Sequence, residues 1–191
     1  MSGTLWLIVE GKVDGEIVKA ILKHRYPQVS IRILKPTGAQ PSVSRLAKQI
    51  DQLIRQALAE PKRGDCIAVL HDADLQTRPH KNERQDYQHI ETVCKKYARQ
   101  VKHVIAYDEI ESWLLADTTF CTWLGTKPQN WDEKSKPSET LINLLDKAGK
   151  PKWREDNWIK ILENLDGTGD KFSSSLQSAL KHLENAPCTR R

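Results

Sequence analysis

Acidic residues recur in this chain directly after short apolar runs. In Cys66-Ile-Ala-Val-Leu-His-Asp-Ala-Asp74, the uncharged run Ile67 to Leu70 leads through His71 to Asp72 and Asp74. Two carboxylates one residue apart can converge on a hard divalent cation, which prefers oxygen ligands. A second apolar run, Leu5 to Val9, ends on Glu10-Gly11-Lys12-Val13-Asp14, and a third, His103 to Tyr107, ends on Asp108-Glu109-Ile110-Glu111. Any one of these acids has a plainer reading: Asp72 can cap a turn and Asp74 can simply be solvated. Gathered at one place, Glu10, Asp14, Asp72, Asp74 and an acid from Glu109 to Glu111 would raise one another's pKa unless a cation neutralised them. Such groups build magnesium or manganese sites, where two ions ~3.5–4 Å apart can clamp an in-line phosphoryl displacement. An acid left off the metal can move protons.

The elements that would bring these acids together are strands and crossover helices. The uncharged run before Asp72 reads as a central strand buried on both faces, the mark of a parallel sheet. Thr4 to Val9, Ser30 to Leu34 and His103 to Tyr107 read as further strands. Between them, Ile17, Val18, Ile21 and Leu22 recur at helical spacing, as do Val43, Leu46, Ile50, Leu53, Ile54 and Ala57, and then Tyr87, Ile90, Val93 and Cys94. Strand–helix alternation implies right-handed crossovers and a parallel sheet with helices on both faces. All carboxyl ends then lie on one edge, where ligands bind in open α/β sheets. Leu75 to Asp86 is polar and aperiodic and reads as a loop. After Thr118 the pattern changes: Pro128, Pro137 and Pro151 separate short helical stripes. The expected division is a domain over 1–117 and a helical C-terminal appendage over 118–191.

The Glu10-Gly11-x-x-Asp14 motif after the first strand, with Asp72-Ala73-Asp74 after the third, resembles the Toprim domain shared by type IA and II topoisomerases, primases, ribosomal RNA maturases and OLD-type nucleases. The late acid is most similar to the nuclease branch, and Glu109-Ile-Glu-Ser-Trp-Leu-Leu-Ala-Asp117 is similar to a signature of small stand-alone bacterial Toprim-like proteins, some encoded beside an ATPase. The resemblance covers about Thr4 to Asp117 and does not extend to the helical end. It implies a Toprim-like, Rossmann-like α/β fold with a four-stranded parallel sheet. It implies Mg2+ or Mn2+ as cofactor, held by Glu10, Asp14, Asp72, Asp74 and Glu111. Glu10, Asp72 and Asp74 are the expected catalytic residues, with Glu10 a ligand or a general acid/base. Glu111 is preferred to Glu109 because it sits in the signature beside Trp113, and Asp117 is expected to end a helix rather than bind metal.

Several other residues carry two readings each. Lys12 can hold a phosphate or be solvated. His71 can bind metal or be a hydrogen-bonded structural residue. Arg78, His80, Lys81 and Arg84 can contact phosphates over the site or form a solvated loop. Trp123, Trp131, Trp153 and Trp158 can stack on bases or pack in a small core. The net charge of +5 suits a polyanionic partner. No Walker A motif stands in the chain, so it is not expected to hydrolyse ATP.

No membrane-spanning run and no signal peptide are read. Cys66, Cys94, Cys121 and Cys188 form no Cys-x-x-Cys pair, which argues against a zinc ribbon or disulfide framework and fits a reducing cytoplasm. The expectation is a cytoplasmic, metal-dependent nuclease cutting DNA or RNA, the effector of an anti-phage defence pair with an ATPase partner. The alternatives are a structured-RNA maturase, a non-catalytic scaffold for nucleic acid or a partner protein, and a doubly wound domain with Asp72 as phosphoacceptor, which leaves Glu10 and Glu111 unexplained.

Overall fold

The apolar runs become a sheet. A computed structural model of the chain describes residues 3–38, 40–59, 65–73, 81–132, 136–184 and 186–189, without the side chains of 81 and 82. Strands β1 (Thr4–Ile8), β2 (Ser30–Leu34), β3 (Cys66–Asp72) and β4 (Val101–Ala106) are all parallel, in the order β2-β1-β3-β4. Every residue of β3 from Cys66 to His71 is buried, as a central strand covered on both faces requires. Edge strand β2 is exposed at alternate positions.

Alternate side chains of the strands sort to opposite faces. Leu5, Leu7, Ala68, Leu70 and Val104 pack against Ile17, Val18 and Ile21 of α1 (Lys12–Arg25). Ile8, Ile67, Val69 and Val101 pack against Leu46, Ile50 and Ile54 of α2 (Val43–Leu58) and Ile90 and Val93 of α3 (Lys81–Lys96). Helix α3 begins at Lys81, so the expected loop is shorter than Leu75 to Asp86. Its first turns carry only polar residues, so no apolar period marked them. Asp74, Arg78 and His80 lie outside the described residues, as does the side chain of Lys81.

The C-terminal part adds α4 (Glu111–Ala116), α5 (Thr118–Trp123), α6 (Pro137–Lys147), α7 (Trp158–Leu162), a 3-10 turn (Gly169–Lys171) and α8 (Ser174–Glu184). The segment expected as an appendage shares its core with the sheet. Leu176, Leu180 and Leu183 of α8 lie in one cluster with Leu7, Ala68 and Val104. Each such buried leucine adds about 1.5–3 kcal/mol to folding, so α8 is bound to the sheet rather than hung beside it. Asp132 fixes the start of α8: its carboxylate accepts from the hydroxyls of Ser173, Ser174 and Ser175 and from the Ser175 amide. Asp117 ends α4 and caps α5 as expected, accepting from the Phe120 amide at 2.9 Å, and its other oxygen takes the Gly167 and Thr168 amides.

The cysteine expectation is corrected. Cys66 and Cys188 are joined as a disulfide, with their Cα atoms 5.6 Å apart and a separation of 122 in sequence. Sequence spacing cannot reveal a pair that only the return of the tail beneath β3 brings together. Cys94 and Cys121 are buried free thiols. No helix among the described residues is long and apolar enough to cross a membrane.

Candidate active site at the carboxyl edge of the sheet

Four of the five predicted ligands are described, and hydrogen bonds and charge link them at one edge. Strand β1 delivers Glu10, whose Oε1 accepts from the Asp72 amide at 3.2 Å. Strand β3 delivers Asp72, whose Oδ1 accepts from the Ile110 amide at 3.0 Å, just before Glu111 opens α4. Asp14 lies in the first turn of α1, and its Oδ2 accepts from the Gly11 amide at 2.8 Å, satisfying a helix-end N–H. The close passage of α1 over β2 depends on Gly15: a Cβ there would lie 2.7–2.9 Å from three atoms of Ile33.

Glu109 and Glu111 have different surroundings. The Glu109 carboxylate accepts from the Ser138 amide at 2.7 Å and Asp108 accepts from the Lys136 amide at 3.2 Å, so both hold the start of α6. Glu111 is only 8% exposed and stands close enough to Asp14 for their charges to interact. Burial pushes the Glu111 carboxyl up to about 7, helped by the Asp14 and Glu109 charges and opposed by the Trp153 indole beside it. Burial likewise pushes Asp14 up to about 6, against the pull of the Gly11 amide. These are carboxylates whose negative charge is poorly compensated, a condition a bound cation would relieve.

The plainer reading of His71 is the one observed. The ring is 2% exposed, stacks on Tyr87 with centroids 5.4 Å apart, and has both nitrogens engaged. A carbonyl can only accept, so Nδ1 donates to the Asp72 carbonyl at 2.7 Å; Nε2 then accepts from His103 Nε2 at 2.9 Å. Burial lowers the His71 pKa to about 4, so the ring is neutral and braces the backbone at Asp72.

The donors suit magnesium or manganese in kind, since Glu10, Asp14, Asp72 and Glu111 all offer hard oxygen. Among the described residues, however, no group of three or more His, Cys, Asp or Glu side chains is placed to hold one ion. Asp74, the fifth expected ligand, lies outside those residues.

Sequence reasoning missed what closes the site from the far end of the chain. The turn-rich segment from Pro151 to Trp158 runs alongside it. Trp153 lies beside Glu111, Glu155 forms an ion pair with Lys12, and Trp158 lines a cavity of about 330 Å3 with Glu10, Gly11, Lys12 and Lys35. The signal available was composition alone, two tryptophans and two acids within six residues, with no period to place them. Trp123, Trp131, Trp153 and Trp158 all pack against the main core. Compared with protein-family models, curated proteins and solved structures, the chain matches none.

Proposed function

We propose that this protein is a Toprim-type, magnesium- or manganese-dependent phosphodiesterase that cuts nucleic acid. The observation that carries the reading is the linkage of Glu10, Asp72, Glu111 and Asp14, from separate segments, at the carboxyl edge of one parallel sheet, with two of them pushed up to about 7 and about 6. Glu10, Asp72 and Glu111, with Asp74 and Asp14, would hold the ion. Bound there, the metal would supply Lewis-acid stabilisation of charge on the phosphate and its entering and leaving oxygens. The chain's own groups do the rest. The Ile110 amide fixes the orientation of the Asp72 carboxylate. Glu10 completes the acidic set or takes the proton of the attacking water. Lys12, exposed and two residues from Glu10, offers its ammonium to a phosphate. The net charge of +5 favours a polyanion.

The test is cleavage of plasmid DNA, linear single-stranded DNA and structured RNA with each metal. Glu10→Gln retains one acceptor oxygen and removes basicity, so cleavage should fall by about 10²-fold or more while nucleic-acid binding persists. The preferred substrate separates a DNase from an RNA maturase. Wild-type protein that binds but never cuts, alone or with an ATPase partner, would leave a scaffold.

A further inference from the structure

The cavity beside Glu10 has features the acidic set does not explain. Its volume, about 330 Å3, lies within the range of small-ligand sites. It is lined by two lysines, Lys12 at the start of α1 and Lys35 just after β2, and by Trp158 from α7. At its mouth the Glu155 carboxylate pairs with Lys12. Lys35 acts on the same carboxylate, and together the two ammonium groups hold it below the usual glutamate range. Glu155 therefore shares the cavity lining with two cations, is paired with one of them and feels the charge of the other. The half-buried Trp158 ring packs against the core and also borders the cavity.

We propose that this cavity is a nucleotide subsite, resting on the nuclease reading above: it takes the nucleotide next to the cut, with its phosphate between Lys12 and Lys35 and its base against Trp158. Glu155 acts there as an internal anion that the phosphate displaces. Stacking on an aromatic ring accepts every base, so the subsite adds affinity without dictating sequence. The ion pair lies at the surface, its side chains 51% and 66% exposed, so exchange of one anion for another costs little.

The experiment is calorimetric titration of a 5′-nucleoside monophosphate into the full chain, with EDTA present and at low salt. The nucleoside alone and inorganic phosphate serve as separate arms. Saturable one-to-one binding of the monophosphate, tighter than either part, is expected. Glu155→Gln should tighten it by up to about fivefold, the scale of an exposed ion pair. Lys35→Gln should weaken the monophosphate and phosphate arms together. Trp158→Ala should weaken the monophosphate by about tenfold and leave phosphate unchanged. If Trp158→Ala fails to fold, the two exposed-site variants still decide. No saturable binding, or a Glu155→Gln protein that binds no more tightly than wild type, overturns the proposal. The titration involves no cleavage, so its failure is separable from that of the nuclease reading: a chain that cuts through Glu10 but ignores the nucleotide loses only the subsite.

Discussion

Replacing Glu111 by glutamine in the metal-free protein should make its stability less dependent on pH. The carboxyl titrates at 4.5 in an unfolded chain and at about 7 in the folded one. Because the folded pKa is raised, the folded state binds the proton more tightly. The stability linked to this group is complete below pH 4.5, declines as pH rises towards 7, and is gone above it. At about 1.4 kcal/mol per pKa unit, the loss amounts to about 3 kcal/mol. Glutamine is neutral throughout and suffers no such loss. The stability of Glu111→Gln minus that of wild type should therefore climb by about 3 kcal/mol between pH 4.5 and 7.5. Asp14 shifts in the same direction, from 3.8 to about 6, but is present in both proteins. Removing the Glu111 charge should also lower the Asp14 pKa, since the two carboxyls repel. Urea denaturation followed by tryptophan fluorescence suits the measurement, because Trp113 is fully buried and its indole donates to Ser175. Magnesium added to wild type should shrink the difference at pH 7.5 by stabilising the carboxylates. A difference that stays constant from pH 4.5 to 7.5 would refute the reasoning, because a merely better-packed glutamine would raise stability equally at every pH.

Other substitutions probe separate links. Asp72→Asn keeps an acceptor for the Ile110 amide but loses its charge, so manganese affinity measured by calorimetry should fall by about tenfold or more; equal affinity would remove Asp72 from the ligand set. The Cys66–Cys188 bond spans 122 positions, a loop whose closure is worth about 5 kcal/mol in the chain-entropy description; reductant should lower the wild-type melting temperature and leave Cys188→Ser unmoved. Gly15→Ala drives a methyl into Ile33 and should destabilise by about 1–3 kcal/mol, with Ile33→Val in the same chain restoring part of the loss.

The hydrophobic pattern alone determined the α/β class, the four strands and the order of crossover helices, because a strand buried on both faces leaves an uncharged run and a half-buried helix leaves a 3.6-residue stripe. It also set Glu10, Asp72 and Glu111 at or just after the carboxyl ends of their strands, since parallel strands put all their carboxyl ends on one edge whatever their order. Only the tertiary structure decided which acids face one another. Glu109 and Glu111 are two residues apart and chemically alike, yet one accepts the Ser138 amide and the other is buried near Asp14. Sequence spacing holds no record of that difference, because it arises from where α6 docks. The same limit hid the Cys66–Cys188 bond, the core role of α8 and the Lys12–Glu155 pair, which joins residues 143 positions apart. Long-range contacts of this kind depend on how the C-terminal helices fold back over the sheet, and local periodicity carries no information about that return.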